Sequence, residues 1–247
     1  GLGNYYFDKK RHEDAIAIWE TVPPFATVCR NLGIAYWNVR RDGEAARKAY
    51  QQALELDPDD ARIFTEYDQL REKLGDVPEA LLDTLLSRLE LVSERDDCSV
   101  ALAALFNEID APEKALDLLL NRRFHPWEGG EGKVLKQYTT ARLNLGRQAL
   151  DKGDASTALE QFELAMKPPQ NLGEAYHLLQ AKADVSYWTA KALRELGREE
   201  DAVTLFESSA NEAGDFQSMA VTEYSELSYY RGLSLIELGQ KTEAVRL

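Results

Sequence analysis

The chain has 247 residues, 44% of them hydrophobic, and 29 Lys and Arg stand against 43 Asp and Glu for a net charge of −14. That apolar share suffices for a sizeable core, while the acidic balance argues against binding nucleic acid or an anionic membrane. No apolar run approaches the roughly 18 residues of a membrane span. Cys29 and Cys98 lie on different predicted helices without metal-ligand spacing and read as reduced, half-buried residues of a cytosolic protein.

In chain order the sequence predicts a run of helix hairpins. The first is partial, with Leu2-Gly3 and Tyr6 in one helix and Ala15 and Trp19 in the next. The second is the most complete: Cys29, Leu32-Gly33 and Tyr36, then Ala46 and Tyr50, closed by Pro58 between Asp57 and Asp59. Gly33 and Ala46 are small where two antiparallel helices cross closely, and Tyr36 and Tyr50 fill the space beside that contact. Pro58 stops one helix and starts the next. The third hairpin has Phe64 and Ala80, its second helix opening at Asp76-Val77-Pro78 with a capping residue and a first-turn proline. The fourth carries Leu102-Ala103, Phe106 and Ala115, with a similar start at Asp110-Ala111-Pro112. The fifth shows Leu145-Gly146, Asp154, Ala158 and Phe162, ending at Pro168-Pro169. Ala190, Leu193, Ala202 and Phe206 mark the sixth, and Gly232, Leu235 and Ala244 the seventh.

This pattern resembles the tetratricopeptide repeat, with Cys29 standing where the repeat has Trp, and Leu32, Gly33, Tyr36, Ala46, Tyr50 and Pro58 at its other positions. The resemblance implies an all-α solenoid of about seven antiparallel hairpins in a right-handed superhelix. The second-helix alanines Ala15, Ala46, Ala80 and Ala115 are 31 to 35 residues apart, whereas Ala115, Ala158, Ala202 and Ala244 are 42 to 44 apart. The expected organisation is therefore repeats of near-standard period over 1–121, a loop over 122–133, and longer repeats over 134–247. The extra residues are expected to lengthen the first helices, over 133–152, 171–196 and 215–238. No stretch reads as a β-strand, because alternating apolar and polar runs bounded by turn residues are absent. Gly1 enters and Leu247 leaves in mid-repeat, so a piece of a longer polypeptide is expected.

The 122–133 loop does not fit the repeat. It holds Arg122, Arg123, Phe124, His125, Trp127, Glu128 and Glu131, with Gly129, Gly130 and Gly132 permitting backbone shapes closed to other residues. Two readings stand. In one, the aromatics plug the step where the period changes. In the other, the loop is a contact or ligand site, aromatic faces beside carboxylates and Arg being what sugars require. FHPWEGGEGK, together with NLGE at 171–174, also resembles the carboxy-terminal repeat portion of a family of large bacterial proteins. Their upstream β-rich region is of unknown function and connected with carbohydrate metabolism. That resemblance implies a helical tail of a larger cytoplasmic protein and carries over no catalytic residues.

Other constellations are weaker. Gly130-Glu131-Gly132-Lys133 lacks the first glycine and the Ser or Thr of a phosphate loop, with Trp127 and Val134 in their places. His12, His125 and His177 have no helical partner, so no metal is expected, and no cofactor either. The repeat resemblance implies a clamp for a peptide's carboxylate end, with Asn4, Asn31 and Arg62 on matching positions. Glu66 replaces the second basic residue, and its repulsion argues against an acidic tail. Asp68 takes the place of the repeat's glycine and needs a capping or bridging partner. Tyr187-Trp188 and Tyr229-Tyr230 read as core residues. The function expected is a scaffold binding a protein, a peptide or the parent's own upstream domain, without turnover by itself. The alternative is an accessory part of a carbohydrate-active enzyme, its site completed by loop 122–133.

Overall fold

A computed structural model describes residues 1–212, 214–217 and 220–247. It divides into two compact units, residues 1–105 and 106–247. The first contains α1 (Leu2–Asp8), α2 (His12–Thr21), α3 (Ala26–Ala35) with a π turn (Tyr36–Arg40), α4 (Gly43–Leu56), α5 (Ala61–Lys73), α6 (Pro78–Ser87), α7 (Leu89–Glu94) and the start of α8 (Asp96–Glu108). The second contains α9 (Pro112–Leu120), α10 (Lys133–Asp151), α11 (Ala155–Ala165), α12 (Ala183–Glu195), α13 (Glu199–Asn211), α14 (Ser228–Glu237) and α15 (Lys241–Arg246).

Three of the helices, α4, α5 and α11, begin at an aspartate cap. The carboxylates of Asp42, Asp60 and Asp154 accept backbone N–H groups of Ala45, Ile63 and Thr157 at 2.9, 2.9 and 3.0 Å, satisfying donors that no helix can pair internally. Pro78 and Pro112 open α6 and α9. In the first, second and fifth hairpins a glycine on the first helix lets an aromatic ring of the second lie on its backbone. A Cβ would come within 2.2 Å of the Trp19 ring at Gly3, 2.6 Å of Tyr50 at Gly33 and 2.2 Å of Phe162 at Gly146. Alanines 15, 46, 115, 158 and 202 are completely buried at these crossings. Ile16 and Val28 join Trp19 in one core cluster, and Cys29, Ile63 and Leu70 join Tyr50 in the next. In the second unit Phe162 and Phe206 anchor two further clusters.

The structure departs from the sequence expectations in several places. The first helix over 133–152 is long, as α10, but α12 starts at Ala183 and α14 at Ser228. The extra residues after α11 and α13 form connecting segments instead. Gly173 is left-handed, with φ +69, and lies against the Phe124 carbonyl, which stops helix there. A β-ribbon also occurs, Asp215–Gln217 pairing antiparallel with Ala220–Thr222; pairs of three residues are too short to show alternation. The unforeseen α7 follows α6 directly. Cys29 and Cys98 are free and fully buried, not half-buried, with burial pushing the Cys98 thiol up to about 11. Tyr229 is 67% exposed, because α14 turns Tyr230 toward Tyr187 (ring centres 5.9 Å apart) and leaves its neighbour outside. Asp68 is buried, yet its Oδ1 has no hydrogen-bond partner. The nearby guanidinium of Arg71 is taken by Asp76 (2.8 Å) and Thr84 (2.7 Å), and burial raises the Asp68 carboxyl to about 6.

Candidate functional site

In the first unit α1, α3 and α5 are the first helices of successive hairpins, and their facing side chains join in a lateral hydrogen-bond ladder. The Asn31 amide on α3 donates to Asn4 Oδ1 on α1 at 3.3 Å, and Arg30 Nη1 donates to Asn31 Oδ1 at 3.3 Å. Arg30 then grips Glu66 on α5 with two bonds, 2.7 and 2.6 Å. Arg62 Nε donates to the same carboxylate at 3.0 Å, and the Tyr50 hydroxyl donates to it at 3.2 Å. The side chains of Arg30 and Glu66 are only 14% and 22% exposed, so this fork is better shielded than a surface pair. Burial and the Glu66 charge push the Tyr50 phenol up, which keeps it a donor.

The expectation that Glu66 repels an acidic ligand is thereby corrected. Four hydrogen bonds, three of them from two guanidiniums, hold its charge, and the carboxylate is a structural tie between α3 and α5.

Two clefts lie along the ladder and meet at Ile34. One, of about 210 Å³, is lined by Asn4, Phe7, Asp8, Trp19, Asn31 and Ile34. The other, of about 260 Å³, includes Ile34, Trp37, Asn38, Tyr50, Gln69 and Lys73. The π turn brings Trp37 and Asn38 to this wall; it ends at Arg41, a left-handed residue with φ 56. Asn4 and Asn31, singled out in the sequence, are thus brought together. Arg62 reaches the ladder through Glu66, with 61% of its side chain exposed. The sequence reading missed Arg30, Ile34, Trp37, Asn38, Gln69 and Lys73. Their signal is the spacing of three and four that puts 31, 34 and 38 on one helical stripe and 62, 66, 69 and 73 on another.

The 122–133 loop has a buried centre and an exposed rim. Phe124 is 2% exposed, its N–H donating to the Asn171 carbonyl at 2.8 Å, with the Arg122 guanidinium 5.4 Å from the centre of its ring. The Asn171 amide donates to the carbonyls of Leu119 (2.8 Å) and Arg122 (2.7 Å), closing the C-terminus of α9. Trp127 is half-buried against Gly130, where a Cβ would meet its ring at 2.0 Å. Arg123, His125, Glu128 and Glu131 are exposed. The loop and the NLGE stretch, separated in sequence, form one knot.

Residues 30–90 match the tetratricopeptide repeat family. Three solved structures show the same fold. A tetratricopeptide repeat protein from Parabacteroides merdae ATCC 43184 is 15% identical over 98% of this chain and 86% of its own, with a TM-score of 0.54. YrrB, described as a TPR protein with an unusual peptide-binding site, is 19% identical over 81% of this chain and 91% of its own (TM-score 0.50). MamA is 17% identical over 76% of this chain and 91% of its own (TM-score 0.50).

Proposed function

We propose that this chain, a tetratricopeptide repeat protein over at least residues 30–90, is a protein-interaction scaffold that takes an extended segment of a partner protein along the groove of α1, α3 and α5. The observation that carries this reading is the hydrogen-bonded row from Asn4 through Asn31 and Arg30 to Glu66, running beneath two clefts that share Ile34. Side-chain amides fixed in a row, beside the apolar faces of Phe7, Ile34 and Trp37, suit a peptide main chain and its alternate side chains. Fixing those groups before binding lowers the ordering cost of association. The peptide-binding site named for YrrB agrees with this use of the fold.

The carbohydrate reading of loop 122–133 is the less favoured one. Phe124 is spent on packing, and Trp127 covers Gly130. The test is selection of binders from a random peptide library against the 247-residue chain, followed by calorimetry. Trp37→Ala and Asn31→Ala should each weaken the selected peptides about tenfold, with Trp127→Ala without effect. Peptides that bind equally well to all three variants would place the partner elsewhere.

A further inference from the structure

We infer that the groove reads the charge polarity of its peptide, with Lys73 selecting an acidic side chain at one end and Asp8 a basic one at the other. This rests on the groove reading above. Glu66, the carboxylate in the middle, is held by Arg30, Arg62 and Tyr50, so its single negative charge is more than matched by two guanidiniums and the centre carries no net negative charge. The ends differ. Lys73 lines only the α5-side cleft, is exposed and forms no ion pair among the described residues. Asp8 lines only the cleft between α1 and α3, and it too is exposed and without an ion-pair partner among the described residues. Between them Ile34, shared by both clefts, and Trp37 supply the apolar floor.

Length follows from the helices. The first helices are joined side chain to side chain, so each step is at least the roughly 8–10 Å of packed helices and two steps from α1 to α5 span about 20 Å. An extended chain covers that in about six residues at ~3.3 Å each. The occupant is therefore a hexapeptide-length segment, basic at the α1 end, apolar in the middle and acidic at the α5 end. On a chain of net charge −14 an unpaired lysine in a cleft is what offsets the general repulsion of an acidic residue.

The experiment titrates two sets of synthetic hexapeptides into the full chain, all with a central leucine. One set carries a lysine at one end and a glutamate at the other, and the other set carries the same charge, both lysine or both glutamate, at its two ends. The first set should bind at least tenfold tighter in low salt, and the preference should shrink as salt rises. Lys73→Glu should reverse the order at the acidic end, with a lysine placed there restoring affinity, and Asp8→Lys should do the converse. Identical ranking by the wild type and Lys73→Glu overturns the polarity while leaving groove binding intact. Binding that ignores Trp37→Ala, or no binding at all, overturns the groove reading itself.

Discussion

The carboxylate of Glu174 accepts the backbone N–H of Gly132 at 2.9 Å and that of Leu135 at 2.9 Å, so the segment following α11 returns to cap the start of α10. The arrangement recurs one repeat later. Glu212, just after α13, accepts the Lys182 N–H at 2.8 Å, and Asp215 accepts that of Ala181 at 3.0 Å, closing the start of α12. In both cases the residues that lengthen the repeat period serve as an N-terminal cap for that repeat's own first helix.

Removing the first of these caps should therefore weaken α10 locally. Glu174→Ala is expected to cost about 0.5–2 kcal/mol, and Glu174→Gln less, since the amide keeps one acceptor. Hydrogen exchange at the Gly132 and Leu135 amides reads the effect directly. Unchanged protection in the alanine variant would show that water replaces the cap at no cost.

Glycine substitutions should change sign between two helices. In an open helix interior Gly→Ala stabilises by about 0.5–1 kcal/mol, and Gly232→Ala on α14, whose nearest neighbour would be 3.9 Å away, is expected to follow that rule. Gly146→Ala on α10 should instead destabilise by about 1–3 kcal/mol, because the new methyl would meet the Phe162 ring at 2.2 Å. Urea denaturation of both variants decides; two changes of the same sign would contradict the close crossing.

Core aromatics should be costly to truncate. Trp19, Phe162 and Phe206 are 6%, 0% and 0% exposed, and each change to Ala is expected to cost about 3–5 kcal/mol, with the adjacent hairpins weakened too. Losses below about 1 kcal/mol for all three would mean that these rings do not anchor their hairpins.

Asp68 makes stability depend on pH in an unusual direction. Its carboxyl titrates near 6 when folded and near 3.9 when unfolded, so the folded state favours the proton. Its cost is absent below about pH 4, develops as pH rises through the interval, and is complete above about 6. Asp68→Asn should match the wild type near pH 4 and be more stable at pH 7.5, by up to about 3 kcal/mol. Asp184, likewise raised to about 6 by burial, adds a similar slope that the single variant retains. Asp76 works oppositely: the guanidiniums of Arg47 and Arg71 lower it to about 2, so its contribution is lost only as pH falls from about 4 toward 2. Parallel pH profiles for the wild type and Asp68→Asn would exclude Asp68 as the source.

The hairpins themselves were legible in the sequence because their determinants are local and periodic. A glycine and an aromatic sixteen or seventeen residues apart, as Gly146 with Phe162 or Gly33 with Tyr50, meet once both helices form. Asp42, Asp60 and Asp154 cap helices beginning at the very next residue. Asn4 and Asn31 could be marked as groove candidates for the same reason, their place within the repeat. The pairing of Arg30 with Glu66 could not, because a hydrogen bond between adjacent first helices joins residues that no period relates. The acidic residues after α11 and α13 looked like helix continuation, since glutamate favours helix and the strong acceptors they became are defined only by the helix starts they reach. The orphaned oxygen of Asp68 has the same origin. Its nearby guanidinium was committed elsewhere by packing, and only the folded arrangement distributes a fixed set of donors among competing carboxylates.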